Sequence, residues 1–390
     1  MNSDAALQRY LALTAIQGSS RHEAAVANWI VDDLLAAGLD RSAIAFDDAH
    51  HRIAAETGDP AGDTGNLIVT LPGTADGPRT LLSAHMDTVP ICVGSKPVVR
   101  DGFVESDDPA TGLGADDRGG CGAILTAIHA RLRDPDAHPP AVVAFLVQEE
   151  IGLYGARHLD RTMIGDVDRA FNFDGGPPEE VTIGAIGGQR VDIVVHGHPA
   201  HAGVAPTRGA SAIVMASNAI ADLAADGWLG RVDRDGGVGT ANIGVFRGGD
   251  ATNVITPRVE LRAEARSHDG PFRQRIIDHM RRAFETAADA VRTDDGRSGR
   301  VEWNDHVDYE AFRLPEDHPS VAAAMDALQT VGRTGECKIT GGGLDANWLY
   351  VHGIQAVTLG CGQRNIHTAD EQLDIEQYLD ACRIAAALIR

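Results

Sequence analysis

Short apolar runs alternate with longer segments of helical periodicity along much of the chain. The apolar runs predict strands at residues 66–71, 80–84, 141–147 and 169–173. The periodic segments predict helices at residues 20–37, 119–131 and 374–389. Because near-continuous apolar strands that alternate with helices are typical of a sheet covered on both faces, we predict an α/β fold.

The middle of the chain has a different pattern, in which apolar and polar residues alternate within each strand. Strands are predicted at residues 189–196, 239–246, 258–266 and 300–304, and helices at residues 210–223 and 271–291. This β-α-β-β-α-β order is the ferredoxin-like pattern. We therefore predict a discontinuous α/β domain, residues 1–187 and 306–390, into which an α+β domain, residues 188–305, is inserted.

Length and charge restrict the possible partners. The chain has 390 residues, 43% of them hydrophobic, and a formal net charge of −22 at pH 7. This length suggests about two or three domains. Because nucleic acids and anionic membranes repel a strongly acidic protein, neither is predicted as a partner.

Cysteine usage and the first segment predict the compartment. The five cysteines are scattered and form no C-x-x-C pair, which favours reduced thiols over a disulfide framework or a zinc ribbon. The first 20 residues have the pattern of an amphipathic helix rather than of a signal peptide. No window approaches the roughly 20 apolar residues that span a bilayer. We expect a cytoplasmic protein.

Several common catalytic motifs are missing from the sequence. It contains no G-x-S-x-G elbow, no Walker A loop, no H-E-x-x-H and no G-x-G-x-x-G after a strand. His22 and Glu23 begin the third of these patterns, but position 26 is a valine. The sequence therefore argues against serine hydrolases, P-loop enzymes, zincins and dinucleotide enzymes.

Acids and histidines lie at the ends of apolar runs or just before a helix instead. They are His85 and Asp87, Asp116 and Asp117, Glu149 and Glu150, Asp174, and His367. Each alone has an ordinary explanation, such as a helix cap or a hydrogen-bonded strand end. Because functional groups of open α/β sheets gather beyond the carboxyl ends of the strands, we expect these residues to share one site.

The number of potential ligands indicates two metal ions. Two imidazoles and three carboxylates are available from His85, Asp116, Glu150, Asp174 and His367. One catalytic zinc usually takes three protein ligands, so this set suits two metals that share a carboxylate. Nitrogen and oxygen donors without a thiolate favour zinc, with cobalt or manganese as possible substitutes. Glu149 then remains free as a base, and Asp87 can orient His85. Spacing leaves open whether Asp116 or Asp117 is shared.

Together these motifs resemble the dizinc metallopeptidase family of peptidase T, carboxypeptidase G2 and aminoacylase-1. The segments "SAHMDTVP", "GADDRGG", "QEEIG" and "HTADE" stand in the family's order, and the resemblance covers essentially the whole chain. It implies that His85 and Asp174 hold one zinc, that Glu150 and His367 hold the other, and that Asp116 bridges them. It also implies that Glu149 activates the metal-bridged water.

The inserted domain resembles the family's lid, which also forms a homodimer. The resemblance implies that His201 in "HPAHAGVAP" stabilises an oxyanion in the partner's active site. It implies that Asn253 and Arg266 bind the substrate's carboxylate or carbonyl, and that Gly343 in "TGGGLDANWL" approaches the substrate through its backbone.

The branch within the family determines the expected substrate. The segments "NFDGG" and "GGLDAN" resemble peptidase T most, whereas "HAGVAP" resembles carboxypeptidase G2. We therefore expect an aminopeptidase or tripeptidase of small peptides. The alternatives are a carboxypeptidase or an N-acyl-amino-acid deacylase of the same family and, more remotely, a non-catalytic binding protein.

Overall fold

The computed structural model describes residues 2–134 and 136–390. The chain divides into two compact units, one formed by Met1–Ala185 with Arg313–Arg390 and the other by Ile186–Phe312. The helices are α1 (Ser3–Thr14), α2 (Ala24–Ala36), α3 (Ala49–Thr57), α4 (Ala115–Arg133), α5 (Tyr154–Arg157), α6 (Arg161–Ile164), α7 (Ala212–Ala225), α8 (Gly270–Ala290), α9 (Pro319–Thr330), α10 (Asp345–Val351) and α11 (Ile375–Leu388).

The described residues form three sheets from strands of 2 to 12 residues. The strands are β1 (Ile44–Phe46), β2 (Leu67–Leu71), β3 (Thr80–His85), β4 (Pro97–Arg100), β5 (Phe103–Ser106), β6 (Ala141–Leu146), β7 (Arg169–Phe173), β8 (Glu180–Ala185), β9 (Gly187–His196), β10 (Gly230–Arg234), β11 (Gly237–Gly248), β12 (Arg258–Ser267), β13 (Arg300–Tyr309), β14 (Phe312–Arg313), β15 (Glu336–Thr340), β16 (Ala356–Leu359), β17 (Gln363–Arg364) and β18 (Gln372–Asp374).

The first unit is built on a large mixed sheet with the order β1-β2-β6-β3-β7-β16-β8-β14, in which β15 pairs with β8. Its central strands β6, β3, β7 and β16 run parallel. Every residue of β3 and β6 is buried, which is why β6 is apolar throughout and β3 does not alternate between apolar and polar residues. The α/β architecture predicted from those runs is confirmed.

A smaller sheet with the order β17-β18-β5-β4 also belongs to the first unit. Its strands are two to four residues long, too short for a periodic pattern to predict them. The loop between β17 and β18 carries His367, so this small sheet holds one of the candidate ligands.

The inserted unit contains a five-stranded sheet with the order β10-β11-β12-β9-β13, and helices α7 and α8 belong to the same unit. The predicted β-α-β-β-α-β elements are present as β9, α7, β11, β12, α8 and β13. Alternate residues of β9 are buried, and they join the apolar faces of both helices in one core. Strand β13 continues to Tyr309, so the unit extends beyond the predicted boundary at residue 305.

Strand β10 was not predicted. It forms a hairpin with β11 in which Arg234 pairs with Gly237, and the turn residues Asp235 and Gly236 have φ of 49° and 77°. Positive φ at both turn positions is typical of the two-residue type I′ hairpin turn that Asp-Gly favours. The Asp-Gly pair therefore indicates a hairpin here, whereas the mostly polar sequence of β10 does not indicate a strand.

Candidate metal centre

The candidate ligands lie beyond the carboxyl ends of the parallel strands. His85 is the last residue of β3, Asp174 directly follows β7, and Glu149 and Glu150 follow β6 after a short turn. Because β3, β6 and β7 are hydrogen-bonded in parallel, their ends share one edge of the sheet. The loop between β17 and β18 brings His367 to the same place, within hydrogen-bonding distance of Glu150.

Asp116 lies between the two histidines. Its Oδ1 is 3.1 Å from Nε2 of His85, and its Oδ2 is 3.1 Å from Nε2 of His367. Two groups of potential ligands result, and the ligand atoms within each group lie within 4.8 Å of one another. One group is His85, Asp116 and Asp174, and the other is Asp116, Glu150 and His367. Asp116 is common to both.

The neighbouring Asp117 has a different environment. Asp116 and Asp117 have non-helical backbone angles, so the regular part of α4 begins after them. The buried carboxylate of Asp117 accepts hydrogen bonds from the backbone N–H of His85 at 3.2 Å and of Gly120 at 2.9 Å. It also accepts one from Nε2 of Gln363 at 3.0 Å. Geometry therefore distinguishes the two aspartates where spacing did not.

Asp87 connects the first histidine to the two glutamates. It is fully buried, and its Oδ1 lies 3.4 Å from Nδ1 of His85. Its two oxygens also accept the backbone N–H groups of Glu149 at 2.9 Å and Glu150 at 3.2 Å, and the hydroxyl of Ser20 at 2.6 Å. Although burial opposes ionisation, the hydrogen bonds from His85 and Ser20 hold the pKa of Asp87 below its usual value.

The turn that follows β6 separates the tasks of the two glutamates. Gln148 has a φ of 55°, which interrupts the alternation of a strand before the pair begins. The buried Glu23 fixes this turn by accepting the N–H of Gln148 at 3.0 Å. Glu150 then reaches His367 with an oxygen–nitrogen distance of 3.0 Å, whereas Glu149 belongs to neither group of candidate ligands.

Burial and mutual repulsion raise the pKa values of the site's carboxyl groups. Burial, with the nearby charge of Asp116, raises the pKa of Asp174 to about 8. Burial also raises the pKa of Glu149 well above its usual range, and the charges of Asp345 and Asp174 act in the same direction. Without a cation, ionising all these groups together is unfavourable.

The donor set fits divalent metal ions. The hydrogen bonds to Asp116 and Glu150 raise the pKa of His367 to about 10, so this imidazole is held in a strongly negative environment. A bound cation would replace the protons that otherwise neutralise these groups. Imidazole and carboxylate ligands suit zinc, cobalt or manganese.

Three further acids near this centre were not identified from the sequence. Glu23 and Glu371 are buried and accept backbone N–H groups, a task that leaves no sequence pattern. Asp345 is buried at the first position of α10, and its Oδ1 has no hydrogen-bond partner. Its position two residues after the glycine-rich segment 341–343 was the available signal.

The other predicted site residues belong to neither group of candidate metal ligands. In the inserted unit, His201 pairs with Val254 in an isolated antiparallel β-bridge. The carbonyl oxygen of Asn253 accepts the N–H of Ala202 at 2.9 Å. Arg266 of β12 pairs with Glu264 at 3.1 Å. In the first unit, Gly343 is half-buried between β15 and α10.

The fold and the shared aspartate define a class, namely an α/β protein with candidate ligands for two metal ions. The chain belongs to peptidase family M20/M25/M40, whose family model matches residues 81–390. The predicted family is therefore confirmed, and with it the expectation of a hydrolase that acts on peptide bonds.

Three similar proteins match this chain over nearly their whole length. The chain is 36% identical to the uncharacterised protein YqjE of Bacillus subtilis strain 168, covering 100% of this chain and 98% of that protein. A tripeptidase structure from Staphylococcus aureus Mu50 has a TM-score of 0.88 at 31% identity, covering 100% of this chain and 98% of that one. The aminopeptidase PepT of Bacillus cereus ATCC 10987 has a TM-score of 0.85 at 34% identity, with the same coverage.

Among the described residues, no helix is both long and apolar enough to cross a membrane.

Proposed function

We propose that the protein is a dizinc peptidase that cleaves small peptides from their amino ends, as an aminopeptidase or tripeptidase. The main observation is the position of Asp116, whose two oxygens each lie 3.1 Å from a different histidine. The names of two similar solved structures, a tripeptidase and an aminopeptidase, support this substrate class.

The residues would hold the metals in two sets that share one member. His85 and Asp174 would hold one zinc, Glu150 and His367 the other, and Asp116 would bind both. When bound, the two ions would polarise the scissile carbonyl and make the attacking water more acidic.

Glu149 moves the proton. It belongs to neither ligand group, and its backbone is fixed by Asp87, so its carboxylate can serve as general base. As the water oxygen bonds to the carbonyl carbon, Glu149 takes the water's proton. As the carbon–nitrogen bond breaks, Glu149 gives that proton to the leaving amine. Asp87 keeps His85 oriented through its Nδ1 atom.

The inserted unit supplies the remaining contacts in this proposal. Nδ1 of His201 accepts the N–H groups of Gly203 and Val204 at 3.2 Å, which leaves Nε2 as the donor nitrogen of the ring. An Nε2–H donor is suited to an oxyanion. Asn253 and Arg266 bind the substrate's carboxylate or carbonyl.

Two further features complete the proposal. Gly343 approaches the substrate with its backbone, and the unit of Ile186–Phe312 joins two chains in a homodimer. Both features follow from the resemblance to the family.

A single substitution tests the assignment of the base. We expect Glu149→Gln to lower kcat on a tripeptide by about 10²- to 10⁴-fold, because the general base is lost. It should still bind two zinc ions per chain, as measured by mass spectrometry of the metal content. Glu376→Gln, on a side chain that is 87% exposed, is the matched control and should keep both activity and metal.

Substrate class is tested with the same zinc-loaded protein. Tripeptides, dipeptides and N-acetyl amino acids are compared by kcat/KM. Preference for tripeptides with a free amino end supports the proposal, whereas cleavage of N-acetyl amino acids alone would show a deacylase. Near-normal turnover by Glu149→Gln would refute the mechanism.

A further inference from the structure

A buried carboxylate next to the candidate metal centre is not used by the proposed mechanism. Glu371 lies in the loop between β17 and β18, four residues after His367, and is only 1% exposed. Its Oε2 accepts the backbone N–H of Gly114 at 2.7 Å, and its Oε1 accepts that of Asp116 at 3.1 Å. The thiol of Cys92 donates to Oε2 at 3.4 Å.

These contacts fix the segment that carries the shared ligand. Gly114 has a φ of 84°, and Asp116 has non-helical backbone angles, so the helix's own hydrogen bonds do not determine their conformation. The two segments are also in close contact, since a Cβ added to Gly112 would lie only 3.1 Å from Oε2 of Glu371. Glu371 thus supplies the acceptors that this non-helical backbone needs.

A carboxylate suits this task better than a neutral amide does. Two backbone N–H groups converge on one side chain, and a carboxylate offers an acceptor oxygen to each. Another buried acid beside Asp116 adds electrostatic repulsion to a site already rich in carboxylates. A task that requires two acceptors explains a carboxylate at this position, and the hydrogen bonds from the N–H groups of Gly114 and Asp116 are such a task.

We propose that Glu371 is a positioning residue, which fixes the backbone of Asp116 so that its carboxylate stays between His85 and His367. Because Glu371 and His367 lie in one short loop, this loop would position a ligand of the second metal and the ligand common to both. The inference rests on the proposed function, since it concerns the metals that Asp116 would share.

The test compares Zn²⁺ binding by wild-type protein, Glu371→Gln and Asp374→Asn. Glutamine has nearly the shape of glutamate but only one acceptor oxygen, so one N–H group loses its partner. Asp374 is the matched control, because it caps α11 by accepting the N–H of Gln377 at 3.1 Å and pairs with Arg364. Affinity is measured by competition with a chromophoric chelator, stoichiometry by metal analysis, and folding by thermal unfolding.

We expect Glu371→Gln to bind Zn²⁺ about 10- to 100-fold more weakly, the range typical of changes in groups that orient metal ligands. Asp374→Asn should lower the unfolding temperature and keep the wild-type affinity. Glu371→Asp is the second variant. It keeps the charge but is one methylene shorter, so it should also lose affinity.

Two results would overturn the positioning role. One is wild-type affinity in both Glu371 variants, and the other is an equal loss of affinity in Asp374→Asn. Wild-type protein that binds no Zn²⁺ would instead refute the proposed function itself, and that result is obtained before any variant is compared.

Discussion

Asp116 and Asp117 are adjacent in the sequence, but their carboxylates lie in different surroundings. Asp116 faces the imidazole nitrogens of His85 and His367. Asp117 accepts backbone N–H groups, including that of His85. Burial raises the pKa of Asp117 well above its usual range, and the charge of Asp174 adds to this effect. A pair of acids that looks uniform in the sequence thus has one candidate ligand and one structural member.

Substituting each aspartate separately tests this distinction. We expect Asp116→Asn to weaken Zn²⁺ binding at both sites by more than the roughly 10- to 100-fold typical of an outer-shell change, because both metals lose a ligand. Asp117→Asn should keep two zinc ions and lower the free energy of unfolding by about 1–3 kcal/mol, since a buried N–H group loses its acceptor. Metal analysis and urea denaturation measure the two effects. The reverse result would exchange the assignments.

Most residues predicted for the metal centre were found through their positions after apolar strands, and Asp116 through its position before a helix. In the structure, His85, Asp116, Glu150, Asp174 and His367 lie together. Acids that act on backbone N–H groups could not be predicted in this way, because any acidic or amide side chain can accept such a bond and no spacing identifies the donor. Burial of such an acid becomes visible only in the folded chain.

At the scale of elements, the long apolar or alternating strands were predicted, whereas β8 and the short or solvated strands were not. Strand β6 is apolar throughout because both of its faces are buried. Strand β10 has a single buried residue, Val232, so it carries no alternating pattern. Its existence depends on the turn at Asp235 and Gly236 rather than on its own side chains.

The turn between β10 and β11 allows a test of that dependence. Gly236 has a φ of 77°, and a Cβ added there would meet no atom within 4 Å, so Gly236→Ala tests backbone conformation without a clash. We expect it to lower the free energy of unfolding of the inserted unit by about 1–2 kcal/mol, the cost of a left-handed conformation. Gly270→Ala at the start of α8 is the control and should not destabilise, because alanine favours a helix.

Urea denaturation followed by tryptophan fluorescence, to which Trp228 and Trp303 of the same unit contribute, measures both variants. Equal stability of the two would show that the turn does not control the hairpin. Zn²⁺ binding should remain unchanged in both, since neither residue belongs to the candidate metal centre.

At the scale of the whole molecule, the strands change from apolar throughout to alternating apolar and polar. This change predicted the division of the chain into an α/β part and an α+β part. The exact boundaries are harder to predict, because Asn304, Asp305 and His306 interrupt the alternation although β13 continues to Tyr309. The acidic composition has a local counterpart in the candidate metal centre, where carboxylates converge. From this concentration of negative charge we expect the stability of the protein to depend on both metal and pH.

The metal-free protein should lose stability as pH rises through neutrality. The folded state raises the pKa of Asp174, mainly through burial, from 3.8 to about 8, so the unfolded chain releases this proton first and rising pH favours unfolding between these values. Hydrogen bonds to Asp116 and Glu150 raise the pKa of His367 from 6.5 to about 10, so the stability it contributes is present below 6.5 and lost as pH rises towards 10. The two windows overlap between 6.5 and 8.

Thermal unfolding of chelator-treated and zinc-loaded protein tests this dependence across the overlapping window. We expect the Tm of the metal-free protein to fall as pH rises from 6.5 to 8, the interval in which Asp174 and His367 both favour unfolding. Zinc should raise the Tm and make it depend less on pH, because a ligand that binds only the folded state stabilises it and replaces those protons. The difference in Tm between the two forms should therefore grow with pH. A metal-free Tm that rises over this interval, or a difference that shrinks, would contradict a site in which zinc and protons compete for the same carboxylates and imidazole.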